Sequence, residues 1–159
     1  MEENLVFVRI DDRLIHGQVM TAWLKTYTNV KHILVVDDFT AKDPFMTTMF
    51  ELLIPKGITI EIKSVQDAIT VVKNGLSKPT MLIAKNPAAI RDLIEGGVDI
   101  DKFNIGGMGM SGKRYKFYRN ISADDEERQI LRDLNAKGVK IEIQIIPAQE
   151  CVDVSQLLK

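Results

Sequence analysis

The sequence predicts an α/β fold built on one mostly parallel sheet, and two observations support that class. Six short apolar runs alternate with segments of helical periodicity, an alternation that is typical of βαβ units with right-handed crossovers. Three of the runs, Leu5–Val8, Ile33–Val36 and Met81–Ala84, are apolar at every position, as expected of parallel strands that are covered on both faces. No linker, low-complexity tract or repeat interrupts the pattern, so we expect a single domain over residues 1–159.

The polarity of the predicted strands indicates their order in the sheet. They cover Leu5–Ile10, Ile33–Asp37, Ile58–Lys63, Thr80–Ala84, Phe103–Gly106 and Val139–Ile146. Ile58–Ile62 and Ile141–Ile145 alternate apolar and polar residues, which favours positions at or near the edges of the sheet. The first strand begins with four consecutive apolar residues, so we expect it toward the middle.

Helix positions follow from apolar periodicity and from capping residues. The first helix is expected over about Gly17–Tyr27. The other four are expected to begin near Thr40–Asp43, Ser64, Asn86 and Ser122 and to end at Pro55–Gly57, Asn74–Gly75, Gly96–Gly97 and Lys137–Gly138. The second helix should bury Phe45, Met49 and Leu53, which share one side of it.

The composition is that of an ordinary globular protein without a strong charge. Hydrophobic residues make up 45% and charged residues 27%, and the net charge of −1 gives no attraction for nucleic acid or an anionic membrane. No apolar segment approaches the roughly 20 residues that cross a bilayer, and the acidic N-terminus lacks the features of a signal peptide. The single cysteine, Cys151, excludes an internal disulfide and agrees with a reducing cytosol. We expect a cytoplasmic protein in which Cys151 packs on a short last helix after Pro147.

A charged loop after the first predicted strand is the candidate active site. Asp11, Asp12 and Arg13 follow the strand directly, and His16 and Gly17 precede the first predicted helix. Ligands of open α/β sheets bind beyond the carboxyl ends of the strands, and glycine at a helix start lets backbone amides approach an anion. The planar guanidinium suits phosphate oxygens, a neutral imidazole can act as a nucleophile, and either carboxylate could fix its tautomer. On position alone, a catalytic histidine and a surface or capping histidine are about equally favoured.

The glycine-rich segment offers an alternative function, a nucleotide-binding module that uses the loop Gly107–Lys113. Gly107–Gly112 matches the G-x-G-x-x-G spacing, and with Lys113 it matches most of a P-loop. The context differs from both motifs, because Arg114 replaces the expected Ser or Thr and alternating basic and aromatic residues follow where a helix should begin. A loop beside the active site or a docking surface is therefore favoured.

Other clusters indicate less specific roles. A receiver domain would need an aspartate at the end of the third strand, where the sequence has Ile62-Lys63-Ser64. Asp37 and Asp38 should reach the same rim as His16, where capping of the next helix is the favoured role. No metal site is expected, because the chain has two histidines and no recurring ligand spacing. Four basic residues form a patch that is either solvated or a docking surface: Lys113, Arg114, Lys116 and Arg119.

Residues Arg9–Val19, Arg-Ile-Asp-Asp-Arg-Leu-Ile-His-Gly-Gln-Val, resemble the signature of the IIB components of the mannose/fructose/sorbose family of the bacterial phosphoenolpyruvate-dependent sugar phosphotransferase system (PTS). Further similar stretches make the resemblance run nearly the whole chain: Ile33–Asp38, Glu95–Val98, Asn104–Met108 and Asp133–Gly138. The resemblance implies an open twisted sheet of six to seven strands, with helices on both faces and one antiparallel strand. Residues Tyr115–Tyr118 could provide that strand.

The resemblance also implies a function. His16 would be phosphorylated transiently by the phosphohistidine of a IIA component, and the phosphate would pass to a sugar as the membrane components IIC and IID bring it in. The chain would then be a phosphoprotein of sugar transport, a protein-N(π)-phosphohistidine–sugar phosphotransferase (a transferase or kinase) of the cytoplasm, peripherally associated with the membrane through IIC and IID. Arg13 matches the signature arginine and would stabilise the transferring group. Asp11, Asp12, Gly17 and Gln18 match the same loop without individual roles, and no cofactor is expected.

Overall fold

The computed structural model describes residues 1–158. The strands are β1 Leu5–Asp11, β2 His32–Val36, β3 Thr59–Lys63, β4 Thr80–Ala84, β5 Lys102–Gly107, β6 Tyr115–Tyr118, β7 Ile121–Ala123, β8 Lys140–Ile143 and β9 Val152–Asp153. The α-helices are α1 Gly17–Thr26, α2 Pro44–Glu51, α3 Val65–Lys73, α4 Pro87–Glu95 and α5 Asp125–Ala136, with short 3-10 helices at Thr40–Lys42 and Val154–Gln156. No helix within residues 1–158 is long and apolar enough to cross a bilayer.

Seven strands form one sheet in the order β3-β2-β4-β1-β5-β8-β9. Strand β1 lies at its centre and pairs in parallel with β4 and β5. Strand β3 forms one edge, and β9 pairs antiparallel with β8 at the other. The predicted class, a mostly parallel sheet of six to seven strands, is confirmed, as is the central position of the first strand.

Helices cover both faces of the sheet. One buried cluster packs α1 and α2 against one face, with Trp23 and Phe50 as its large side chains, and a second packs α3, α4 and α5 against the other face. Strand β1 contributes to both, since Phe7 belongs to the first cluster and Val8 and Ile10 to the second. This burial on both faces explains why the start of β1 is apolar at consecutive positions.

The expectation that Tyr115–Tyr118 provides the antiparallel strand of the main sheet is wrong. The segment does form β6, but β6 pairs antiparallel with β7 in a separate two-stranded sheet. Arg119, with a positive φ of 50°, and Asn120 connect the two strands. A two-residue connection brings the nearest segment into pairing distance, so the local partner prevails over the distant sheet.

Two further helix predictions at the carboxyl end of the chain need correction. Helix α5 begins at Asp125 and not at Ser122, which lies in β7, because Asp124 and Glu127 form a capping box that satisfies the first amides. The short helix predicted after Pro147 is present only as the 3-10 helix Val154–Gln156, and no α-helix follows Pro147 within the described residues. Cys151 is an exposed residue before β9, where its Sγ donates to Glu142 Oε2 at 3.0 Å, and it does not pack on a helix.

The prediction that α2 buries Phe45, Met49 and Leu53 is also wrong. These side chains are 75%, 57% and 41% exposed, whereas Phe50 is buried. Two neighbouring apolar stripes run along α2, and the stripe that contains Phe50 packs against the core. The exposed apolar residues of residues 39–53 are called the apolar segment below: Phe39, Phe45, Met49, Leu52 and Leu53.

Candidate active site

His16 lies at the carboxyl end of the central strand, at the start of α1. It is the backbone N-cap of α1 with an extended conformation (φ −141°, ψ 135°), but its side chain makes no capping hydrogen bond. Its Nε2 atom lies 3.2 Å from Oδ2 of Asp11, and the ring is partly exposed. Since an ionised carboxylate only accepts hydrogen bonds, this contact places the proton on Nε2 and leaves the Nδ1 lone pair free.

Asp11 is a buried carboxylate that is held ionised by two arginines. Its Oδ1 accepts from the backbone N and the Nε of Arg13, both at 3.0 Å, and its Oδ2 accepts from Arg13 Nη2 at 3.2 Å. Arg9 Nη2 lies 3.4 Å from the same Oδ2. Burial alone would raise the pKa of Asp11, but the Arg13 hydrogen bonds and the charge of Arg9 outweigh it and hold the pKa below its usual value.

The backbone of the loop turns sharply between Asp11 and His16. Leu14 has a positive φ of 60°, a conformation that costs a side-chain-bearing residue about 1 kcal/mol or more. Its amide donates to the Asp11 carbonyl at 2.9 Å, and the side chains of Leu14 and Ile15 are buried in the core beneath α1. These two apolar anchors hold the loop in the turn that brings His16 back over the carboxylate of Asp11.

The remaining groups of the loop are open to the rim. The Arg13 side chain is 52% exposed. Gly17 begins α1 and Gln18 is exposed. The first amides of a helix have no acceptor within the helix, so the amides of Gly17 and Gln18 are available to an anion near His16.

Asp12 faces the glycine loop and not His16. Its Oδ2 accepts from the Gly109 amide at 2.7 Å and from Arg114 Nη1 at 3.2 Å. Arg114 also donates from Nε and Nη2 to the two carboxylate oxygens of Glu127, each at 2.9 Å. The two adjacent aspartates therefore have separate contacts: Asp11 holds the histidine, and Asp12 clamps the loop Gly107–Arg114.

This clamp disfavours the nucleotide-binding alternative. The Gly109 amide, which a phosphate cradle would need, is taken by a carboxylate, and β6 follows the loop where a helix would be required. The expected basic patch is also partly neutralised. Arg114 is only 12% exposed between its two carboxylates, and Arg119 pairs with Glu150 at 3.1 Å.

Asp37 and Asp38 cap local structure. Oδ2 of Asp37 accepts from the amide of Thr40 at 3.0 Å, and Oδ1 of Asp38 accepts from the amide of Val65 at 2.8 Å. Among residues 1–158, no group of three or more His, Cys, Asp and Glu side chains is arranged to hold a metal ion.

Sequence reasoning missed the residues beneath the loop, of which Arg9 is the most important. Arg9 is 2% exposed inside the central strand, and a Cβ on Gly106 would overlap its guanidinium. A Cβ on Gly107 would lie 2.6 Å from Oδ1 of Asp11, so both glycines make room for the charged pair. The available signal was Arg9 itself, the one charged residue within the predicted strand Leu5–Ile10, because a buried charge needs a buried partner.

The chain is similar to known proteins over nearly its whole length. Residues 5–159 match the family model described as PTS system sorbose subfamily IIB component. The chain is 35% identical over 152 residues to the mannose-specific EIIAB component of Escherichia coli K12, covering 94% of this chain and 47% of that protein. It is 30% identical to the N-acetylgalactosamine-specific phosphotransferase enzyme IIB component 2 of the same strain, covering 98% of this chain and 99% of that one.

A solved structure shares the whole architecture. The IIBSor domain of the sorbose permease from Klebsiella pneumoniae superimposes with a TM-score of 0.89 at 28% identity, covering 99% of this chain and 96% of that one. The chain spans about half the length of the EIIAB relative and nearly the full length of the IIB relatives.

Proposed function

Because the chain belongs to the sorbose subfamily of PTS IIB components, we propose that it accepts a phosphoryl group on His16 from the phosphohistidine of a IIA component and passes it to a sugar. The observation that supports this most directly is the 3.2 Å contact between Nε2 of His16 and the buried carboxylate of Asp11. It orients a partly exposed imidazole with Nδ1 free, which is the arrangement that a nucleophilic histidine requires.

In the first transfer, the Nδ1 lone pair of His16 forms a bond to phosphorus. The bond between phosphorus and the donor imidazole breaks, and its electron pair returns to the donor nitrogen. The Nε2 proton stays on His16, whose ring gains positive charge as the new bond forms, and the Asp11 carboxylate stabilises that charge. Arg13 and the amides of Gly17 and Gln18 are the donors placed to bind the phosphoryl oxygens, since such transfers depend mainly on positioning and electrostatics.

The second transfer runs from phosphohistidine to a sugar hydroxyl presented by the membrane components IIC and IID. The hydroxyl oxygen bonds to phosphorus, the P–N bond breaks, and its electron pair returns to Nδ1 of His16, which can take up the hydroxyl proton. The P–N bond keeps the phosphoryl group reactive, so the protein acts as a relay. Neither step as proposed uses a metal ion or a nucleotide.

The partners are proposed to bind the rim around His16 in turn, first IIA and then the membrane components. The apolar segment borders this rim, because Cδ2 of Leu53 lies 4.0 Å from the position that a Cβ atom would take if Gly17 had one. A partner that covers His16 would also cover part of that segment and would gain burial free energy of about 25 cal/mol per Å² of apolar surface. Association with the membrane would then be peripheral, through IIC and IID.

Reconstitution tests the proposal. The purified chain is incubated with phosphoenolpyruvate, the two general phosphotransferase proteins and candidate IIA components, and acid-labile phosphate is quantified and located by mass spectrometry and phosphorus NMR. We expect one phosphoryl group on Nδ1 of His16. His16→Ala should fold, because the side chain is partly exposed and caps nothing, and should accept no phosphate.

The other histidine supplies a matched control. His32 lies at the opposite rim, at the start of β2, with Nδ1 2.6 Å from Thr59 Oγ1 and Nε2 3.1 Å from Glu61 Oε1. His32→Ala should accept phosphate as the wild type does. Phosphate on His16→Ala, or a wild-type chain that takes none from any IIA donor, would overturn the assignment.

A further inference from the structure

The two arginines that neutralise Asp11 differ in a way that matters for the reaction. Arg13 is 52% exposed and Arg9 is 2% exposed. Only Arg13 can turn toward a phosphoryl group on His16. To do so fully, it must give up the contacts that Nε and Nη2 make with Asp11.

Arg9 is fixed on all sides by buried partners. Nη1 donates to Oδ1 of Asn104 at 2.5 Å and to the Gln144 carbonyl at 3.0 Å, and Nη2 donates to the Ile145 carbonyl at 2.9 Å. The guanidinium also lies 5.3 Å from the centre of the Trp23 ring, whose Nε1 donates to the same Ile145 carbonyl at 3.0 Å. Strand β5, the segment after β8 and α1 thus hold the guanidinium beside Asp11, and it cannot follow Arg13 to the surface.

We propose that Arg9 is a positioning residue, a permanent counter-ion that keeps Asp11 ionised and hydrogen-bonded to His16 while Arg13 leaves to bind the phosphoryl group. The proposal rests on the proposed phosphate relay and assigns the two arginines separate tasks within it. A buried carboxylate without any cation would take up a proton, because an unpaired buried charge is strongly disfavoured. A protonated Asp11 would no longer stabilise the charge that grows on the imidazole.

The charges around Asp11 support this division. Within residues 1–158, the charged or titratable side chains that contact it are Arg9, Arg13 and His16. Strand β5 brings a glycine to this side of the site, the segment after β8 offers carbonyl oxygens to Arg9, and Asp12 faces Arg114. Once Arg13 has left, Arg9 is the permanent cation that remains beside Asp11.

Arg13→Ala reproduces, without a partner protein, the state in which Arg13 has left Asp11, and it should fold because about half of the Arg13 side chain is exposed. NMR of nitrogen-labelled imidazole at about pH 8, where an ordinary imidazole is neutral, reports which ring nitrogen of His16 has the proton. Carbon NMR of labelled aspartate reports the ionisation of Asp11. We expect Arg13→Ala to keep Asp11 ionised and to keep the Nε2-protonated tautomer in at least about a tenfold excess.

Variants of Arg9 complete the test. Added to Arg13→Ala, Arg9→Met should protonate Asp11 near neutral pH and bring the tautomer ratio toward that of free histidine, whereas Arg9→Lys should largely restore the Arg13→Ala behaviour. Asn104→Ala removes one anchor of Arg9 but no charge, so it should lower stability and leave both spectra unchanged. This control separates a charge effect from a packing effect.

The proposal is overturned if Arg13→Ala alone protonates Asp11 or loses the tautomer preference while Arg9 is intact, a result that needs no Arg9 variant to fold. It is also overturned if the double variant matches Arg13→Ala. Neither measurement involves phosphate transfer, so failure of the relay in reconstitution is detected separately. In the phosphorylated wild type, Asp11 should remain ionised.

Discussion

Replacement of Asp11 by asparagine tests the central contact of the site with little change of shape. The carboxylate is 1% exposed, and it accepts from Arg9, Arg13 and His16. The asparagine side chain would still fill the space and could still offer an oxygen to Nε2, but without a charge. The variant therefore separates the electrostatic role of Asp11 from its packing.

The expected loss of rate follows from the hydrogen bond to His16. A bond to a charged acceptor contributes about 1.5–3 kcal/mol and a neutral one about 0.5–1.5 kcal/mol, so the difference is about 1–2 kcal/mol. The imidazole gains positive charge during attack, so this difference applies to the transition state and slows transfer roughly 5- to 30-fold. Rapid-quench measurement of labelled phosphate moving from phosphorylated IIA to the variant gives the rate directly.

Asp11→Asn should also destabilise the fold, because Arg9 is left buried without its counter-ion. Burial already lowers the pKa of Arg9 to about 10, against the opposing effect of Asp11. Breaking a buried pair by removing one partner costs about 3 kcal/mol or more, which urea unfolding can resolve. Since the folded pKa of Asp11 is depressed, its contribution is complete above the unfolded value, near 3.8, and is lost as the pH falls below it. The stability difference should therefore be constant near neutral pH and shrink below about pH 4.

Asp12→Asn is the matched control for both measurements. It is the same substitution one residue along, but Asp12 contacts Gly109 and Arg114 and not His16. Asp12→Asn should slow phosphate transfer by less than threefold, which corresponds to less than about 0.6 kcal/mol of activation free energy. Equal slowing by the two variants would refute the claim that the Asp11 carboxylate acts on the reaction through its hydrogen bond to His16.

Two further predictions concern the core under the site and the surface beside it. Gly106→Ala places a Cβ on the guanidinium of Arg9, which cannot move without breaking buried hydrogen bonds, so it should lower the unfolding free energy by about 3 kcal/mol or more, measured in urea. Gly109→Ala, whose Cβ would lie 3.5 Å from Asp12, should cost under about 1 kcal/mol, and equal losses would contradict the packing argument. Phe45→Gln should leave the Tm within a few degrees but raise the KM for phosphorylated IIA about fivefold or more with kcat unchanged, because Phe45 is 75% exposed and would be buried by a partner. An unchanged KM would show that IIA does not cover this residue.

Much of the fold could be predicted because its signals are local and agree with one another. Strand β4 has the predicted bounds, Thr80–Ala84, and α3 has the predicted cap, since Ser64 accepts from the amide of Asp67 at 3.1 Å. Predictions failed where two local solutions were equally good. The two apolar stripes of α2 could each have faced the core, and only the tertiary packing decides that Phe50 is buried while Phe45 is exposed.

The arrangement of the site, too, could be predicted for some residues and not for others. Adjacent residues at the end of a strand point to opposite sides, so Asp11 and Asp12 had to diverge, and Arg9 had to share a side with Asp11. The pattern in the sequence therefore contained the buried pair of Arg9 and Asp11. It did not contain the position of His16, which depends on the positive φ of Leu14 and on the burial of Leu14 and Ile15 beneath α1. The histidine reaches the carboxylate because two apolar neighbours are anchored in the core, and this makes the geometry of the candidate catalytic group a consequence of hydrophobic packing.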